Sequence, residues 1–359
     1  MIRFGIIGPG KVAYLHAAAL SRIEDVQLVA VAGRNEERTR SLAVAHGARA
    51  DTGLEAMLEH RDVDAVVICT PHPLHAEQAI TAARAGVHVI VEKPMALTPE
   101  DCDRMIAAAE EAGVVLSVIS QRRWYESVRR VKEAIDTGQI GDPALATVDV
   151  LGWRGPEYYA MDAWRGTSAG EGGGVLVNQA VHQLDLVRWF MGDVVEVDAW
   201  TTNVNHPGIE VEDSAVAIVR FAGGGLATII ASNSQNPGLY ARVHVHGRNG
   251  SSVGVETDGG SIFVAGVTSP TLARNDLWTI PGQEGLLEQW AIEDRAAVAN
   301  VDLDSHYHEL QLRDVVEAIS DRRPPAIDGP DGRKTVELFR AIYRASESGQ
   351  RVTLGGSRG

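Results

Sequence analysis

Cysteine is nearly missing from this chain: two in 359 residues, Cys69 inside an apolar run and Cys102 near an expected helix start. Two thiols make neither a disulfide framework nor a metal quartet, which fits a reducing compartment and sets the expectation of a cytoplasmic protein with no metal. No uncharged apolar run approaches the roughly 20 residues that span a bilayer. Met1 runs straight into a strand-like segment without the basic and apolar regions of a signal peptide. Positive charge is also short, since 33 Lys and Arg against 48 Asp and Glu leave −15 with no local basic patch. Neither nucleic acid nor an anionic membrane is therefore an expected partner.

What is abundant is glycine, 37 residues, or about 10% against a usual value near 7%. With an ordinary apolar content of 45%, this implies many tight backbone turns inside a normal globular core. The length exceeds one typical domain and predicts two.

The first third alternates short apolar runs with amphipathic segments, the pattern of βαβ units. Strands are expected at 3–7, 27–32, 48–50, 64–69, 87–91 and 114–119, with helices at 11–20, 36–46, 54–59, 74–85 and 99–112 between them. Near-continuous Val, Ile and Ala in the strands implies burial on both faces, hence a doubly wound parallel sheet of Rossmann type over residues 1–122. Past residue 122 the character changes. A basic helix, a strand at 144–151, an aromatic and glycine-rich stretch to Gly174 and one apolar helix to Met191 lead into a meander at 194–267, with a strand expected at 261–265. That makes residues 123–359 an α+β domain with a large, mostly antiparallel open sheet, its final helix a candidate to pack back on the first domain. The sheet's uncovered face suits burial against another subunit, as a homodimer or homotetramer.

Gly8-Pro9-Gly10-Lys11-Val12-Ala13 follows the first strand and opens the first helix, matching G-x-G-x-x-A, where a dinucleotide pyrophosphate rests on a helix N-terminus. The first glycine permits the turn, the second admits the phosphate, and Ala13 keeps helix and sheet close. NAD is usually held by an acid at the end of the second strand, but here that end reads Ala32-Gly33-Arg34-Asn35. An arginine there suits the 2′-phosphate of NADP, which puts NADP(H) ahead of NAD(H); the other reading is that Arg34 stacks on adenine or stands in solvent while NAD binds.

At the carboxyl end of the fifth strand, where open α/β sheets bind ligands, stands Glu92-Lys93-Pro94. Together with the glycine turn, Thr70-Pro71 followed by His75, Ala85-Gly86-Val87-His88-Val89, and the helix around His182, this order and spacing resembles the Gfo/Idh/MocA oxidoreductases along nearly the whole chain. The resemblance implies that Gly8, Pro9, Gly10, Lys11, Val12, Gly33, Arg34, Thr70, Pro71, His75, Glu92 and Lys93 border the cofactor. It further implies that Lys93 hydrogen-bonds the reacting hydroxyl and that the Lys93–Pro94 peptide is cis. A partly desolvated lysine near a positive nicotinamide has its pKa lowered, which suits proton relay.

On the apolar helix before Met191, Asn178, His182 and Asp185 fall at i, i+4 and i+7, one polar stripe. His182 stands at the family's acid/base position. Several family members carry Asp where this chain has Asn178, and an amide cannot take a proton at neutral pH. The base is then His182 or Lys93, with Asp185 an orienting partner. The usual substrates of the family are polyols, cyclitols and sugars, and Trp164-Arg165-Gly166-Thr167 resembles members that oxidise UDP-N-acetylglucosaminuronic acid. Arg165 can clamp a carboxylate while Trp164 or Tyr158 stacks on a sugar ring; alternatively these aromatics pack between domains. Arg123, Trp124 and His308 are further substrate candidates. The resulting expectation is NAD(P)-dependent hydride transfer to or from a secondary alcohol. The alternatives are a glycosidase or eliminase using transient oxidation and a dinucleotide sensor without catalysis.

Overall fold

A computed structural model describes residues 1–258 and 272–355. It divides into two compact units, Met1–Gln121 with Asp302–Val336, and Arg122–Val301 with Glu337–Gly359. A single crossing at 122 does not include the return of 302–336 to the first unit.

In the first unit, strands β1 (Ile2–Ile7), β2 (Val26–Ala32), β3 (Arg49–Asp51), β4 (Ala65–Ile68), β5 (His88–Val91) and β6 (Leu116–Val118) alternate with helices α1 (Lys11–Leu20), α2 (Glu36–Ala45), α3 (Leu54–Glu59), α4 (His75–Arg84) and α5 (Pro99–Ala112). The sheet order is β3-β2-β1-β4-β5-β6 and every pairing in it is parallel. Burial on both faces explains the apolar runs: Val66, Val67, Ile68, Val89, Ile90 and Val91 are all fully buried. Helix ends follow local chemistry. The Asn35 side chain accepts from Arg38 N at 3.0 Å and that of Thr98 from Asp101 N at 3.1 Å, with Pro99 at the first helical position.

The second unit holds α6 (Glu126–Asp136), β7 (Pro143–Leu151), α7 (Pro156–Ala160), α8 (Ser168–Glu171), α9 (Val175–Asn178), α10 (Val181–Met191), β8 (Val194–Thr202), β9 (Ser214–Phe221), β10 (Leu226–Ser232), β11 (Tyr240–Gly247), β12 (Ser252–Asp258), β13 (Arg274–Trp278) and α11 (Leu286–Ala297). Its eight-stranded sheet runs β13-β12-β11-β7-β10-β9-β8 and ends on Val352–Thr353; among the described residues only β10 and β7 pair in parallel. Along β9 alternate residues Ala215, Ala217, Val219 and Phe221 are buried while Val216 and Ile218 are exposed, so the sheet has one covered and one open face. The strand expected at 261–265 lies outside the described residues.

The expected single helix up to Met191 is two, α9 and α10, broken at Gln179 and Ala180. Ala180 N donates to the Val175 carbonyl, five residues back, so the turn widens there and Asn178 leaves the stripe that His182 and Asp185 share.

Two long helices, α12 (Leu303–Asp321) and α13 (Gly329–Ser348), precede the last strand. Leu312 and Val315 of α12 enter the same core as Phe4, Ala17 and Val31. Gln311 ties α12 to β6, its side-chain oxygen accepting from Ser120 N at 2.9 Å and its amide donating to the Val118 carbonyl at 2.8 Å.

Candidate functional site

The turn between β1 and α1 is built by glycines with separate duties. Gly8 has φ +91°, and a Cβ there would stand 2.8 Å from the Cys69 carbonyl. Gly33 is equally constrained, since its Cβ would meet the Pro9 ring at 2.3 Å, which binds the turn to the end of β2. Gly10 differs: a Cβ there meets nothing within 4 Å, and it opens α1 with no side-chain cap. An uncapped helix N-terminus beside open space fits a pyrophosphate. Arg34 follows β2 and is exposed, with the exposed Arg38 four residues on.

At the carboxyl end of β5 the Lys93–Pro94 peptide is cis. His75, fully buried, lies with Nδ1 2.9 Å from the Pro94 carbonyl and Nε2 2.9 Å from that of Thr70. Burial lowers its pKa, against the opposing pull of those carbonyls. Its ring ties together the two loops after β4 and β5 and holds Thr70 and Pro94 in place. The Thr70 hydroxyl donates to Gln78 at 2.6 Å.

Behind Lys93 the Glu92 side chain turns inward. Its carboxylate meets His16 Nε2 at 2.8 Å and accepts from Lys93 N at 3.1 Å, and His308 Nε2 stands 3.9 Å away. Burial pushes the Glu92 carboxyl up, but the hydrogen bond from His16 and the charges of His16, His308 and Lys93 outweigh it and hold the group at about 2. Burial depresses His308 to about 4, with His16 adding to the effect. The two imidazoles meet edge to face at 5.0 Å. One donor atom from each of His16, Glu92 and His308 falls within 4.8 Å of the others, the cluster with metal-ligating chemistry found among the described residues. His308, expected near substrate, is 6% exposed within this cluster. Sequence reasoning missed His16; its signal was a polar residue among the alanines of an apolar helix.

In the second unit, Asp185 faces Arg123, with both guanidinium contacts at 2.5 to 2.7 Å, and Arg188 at 3.3 Å. Both Asp185 and Arg123 are buried, and Arg123 stacks at 4.9 Å on the Trp189 ring. Arg123 and Asp185 thus form a buried ion pair that joins the segment before α6 to α10. Trp124 adjoins it in the same helical turn, and His182 is buried on α10.

Asn178 lies at the end of α9. Its amide nitrogen donates to the Tyr158 hydroxyl at 3.0 Å and to the Glu171 carboxylate. Arg165 pairs with Asp162 at 3.1 Å and stacks on the Tyr158 and Trp164 rings at 4.4 and 4.6 Å. Glu171 and Glu212 escaped the sequence reading. Glu212 receives Gly174 N at 2.8 Å, Leu176 N at 3.0 Å and the Tyr343 hydroxyl at 2.8 Å, in effect capping α9 from another segment. This explains the glycine triplet, since a Cβ on Gly174 would sit 1.8 Å from the Glu212 carbonyl and one on Gly173 2.2 Å from the Tyr343 oxygen.

A parallel sheet of this order with a glycine turn on its first strand, coupled to an open antiparallel sheet, defines an NAD-binding oxidoreductase of two-domain type. Residues 2–120 match the family model described as oxidoreductase family, NAD-binding Rossmann fold, and residues 128–253 match the GFO/IDH/MocA C-terminal domain. The chain belongs to the GFO/IDH/MocA oxidoreductases, a family that includes sugar and cyclitol dehydrogenases. It is 29% identical to a myo-inositol 2-dehydrogenase of Thermotoga maritima over 358 residues, 98% of either chain. Among solved structures it is similar to the WlbA dehydrogenase of Bordetella pertussis in complex with NADH and UDP-GlcNAcA, with 33% identity, 99% of both chains covered and TM-score 0.84. The corresponding complex from Chromobacterium violaceum gives 29% identity over 99% of this chain and 96% of that one, with TM-score 0.85. Among the described residues no helix is long and apolar enough to cross a membrane.

Proposed function

We propose that this chain is an NAD(P)-dependent dehydrogenase that moves a hydride between nicotinamide C4 and a secondary alcohol of a sugar, sugar derivative or cyclitol. The observation that carries this is Lys93, placed at the carboxyl end of β5 before a cis proline in the same unit as the Gly8–Gly10 turn. The bound dinucleotide supplies hydride acceptance at its ring. In oxidation Lys93 or His182 would take the proton of the reacting hydroxyl while the dinucleotide would accept the hydride. His182 and Asn178 belong to the second unit. The likeness to WlbA and the Trp164-Arg165-Gly166-Thr167 segment support an acidic sugar nucleotide among the substrates. Asp162 and the two rings pre-position Arg165, whose side chain keeps 13% exposure, for a carboxylate.

The cofactor reading stays with NADP(H) ahead of NAD(H): Arg34 and Arg38 are exposed cations beyond β2, where an acid would otherwise hold the ribose. The NADH in the WlbA complexes is the argument for NAD. The open sheet face carries exposed Trp200, Val216, Ile218 and Ile230, apolar surface suited to a second copy of the chain.

The test is cofactor reduction with NADP and NAD across myo-inositol, free aldoses and UDP-GlcNAcA, alongside Lys93→Met. Turnover that falls at least about 100-fold in the variant while dinucleotide affinity holds supports the reading. Tight cofactor binding without reduction by any of these compounds overturns it and favours a sensor or an enzyme with no net redox change.

A further inference from the structure

Three side chains from distant parts of the sequence converge inside the first unit. His16 comes from α1, Glu92 from the end of β5 and His308 from α12, and each is less than a tenth exposed. One ligand atom from each lies within 4.8 Å of the other two.

Hydrogen bonding accounts for only part of this group. His16 Nε2 donates to Glu92 Oε1 at 2.8 Å, but His308 Nε2 stops 3.9 Å from that same oxygen. The Nδ1 atoms of both rings are buried without a hydrogen-bond partner among the described residues, that of His308 falling short of the Asp304 carbonyl one turn back. Buried polar groups are nearly always paired. An imidazole held in the interior with neither nitrogen bonded therefore calls for a partner of another kind.

The donor chemistry narrows that partner to a cation. Two imidazoles and a carboxylate direct lone pairs toward one point, a set that suits a borderline divalent ion such as zinc better than calcium or magnesium, which favour all-oxygen shells. A four-coordinate ion about 2.0–2.2 Å from its ligands sets their atoms roughly 3.3 Å apart. The 2.8 and 3.9 Å separations fall on either side of that value. His16 frees Nε2 for an ion by carrying its proton on Nδ1 instead.

We propose that His16, Glu92 and His308 form a binding site for a zinc-class divalent ion, with water in the fourth position, that clamps α12 to α1 and β5 within the first unit. An ion held only by the folded chain stabilises it by mass action. The site stands whether or not the chain is a dehydrogenase.

Zinc chloride alone, titrated into chelator-treated full-length protein, tests this. Calorimetry is expected to show one ion per chain lost in His308→Phe and His16→Phe, each weakening affinity at least about 100-fold. His244→Gln, which removes the imidazole paired with Asp276 in the second unit, is expected to leave that affinity in place. Wild-type melting temperature should rise by about 3 °C or more at roughly 100 times the Kd. Because loss of a buried histidine can unfold the chain, the wild-type complex is also read directly. Cobalt in place of zinc is expected to give the visible absorption of a four-coordinate ion, and zinc X-ray absorption to show two imidazoles with oxygen and no sulfur. No ion bound by wild type, sulfur in the shell, or affinity undiminished in both Phe variants overturns the proposal.

Discussion

His16 and Glu92 meet at 2.8 Å in the interior of the first unit, one from the middle of α1 and the other from the residue before Lys93. The contact joins the helix that opens the phosphate turn to the strand end that carries the proposed proton-handling lysine. It also makes the protein's stability sensitive to acid.

Glu92 titrates at about 2 in the folded chain against an ordinary 4.5, and His308 at about 4 against 6.5. Both are depressed, so between each pair of values the unfolded chain binds more protons, and stability is lost as pH falls. The His308 contribution fades between pH 6.5 and 4, and that of Glu92, up to about 3 kcal/mol, between pH 4.5 and 2. Thermal melts should therefore show the gap between wild type and His308→Gln narrowing over the first window, and that with Glu92→Gln over the second. Gaps independent of pH would contradict the assignment.

Gly8 and Gly10 should respond oppositely to alanine. Gly8→Ala meets the Cys69 carbonyl in a left-handed conformation and should cost at least about 2 kcal/mol in denaturant melts. Gly10→Ala projects into open space and should leave stability within about 0.5 kcal/mol while weakening dinucleotide affinity at least about tenfold. Unchanged affinity in Gly10→Ala would place the pyrophosphate elsewhere.

Removing the Arg34 charge should separate the cofactors. With Arg34→Ala, calorimetric affinity for NADPH should fall about 10- to 100-fold, the worth of a charge-assisted hydrogen bond, while that for NADH holds. Equal changes for both would remove the 2′-phosphate role.

Arg123→Ala removes both guanidinium contacts to the buried Asp185 and should destabilise the protein by about 3 kcal/mol. A variant of normal stability with a raised KM would instead restore Arg123 as a substrate group.

Much of the first unit is legible because local rules and tertiary demands coincide there. The Gly8–Gly10 turn, the Thr98 cap with Pro99, and strands such as Val66 to Ile68 each announce themselves within a few residues. The chemistry around Asn178 was not legible in the same way. Its partners Glu171 and Tyr158 lie 7 and 20 residues away, and the helix break at Gln179 leaves no periodic mark. His16 and His308 were similarly out of reach as a pair, because 292 residues separate two side chains that meet at Glu92.

By itself, then, the sequence determined the alternating βα array, the glycine turn, the open antiparallel sheet and the position of Lys93 at the end of β5, since these depend on backbone propensity, apolar period and short-range glycine geometry. Only the tertiary structure decided which way the polar groups face: Glu92 inward to His16, Asp185 to Arg123, Asn178 to Glu171 and Tyr158. A buried polar group must find its partner wherever the fold delivers one, and sequence spacing carries no record of that delivery.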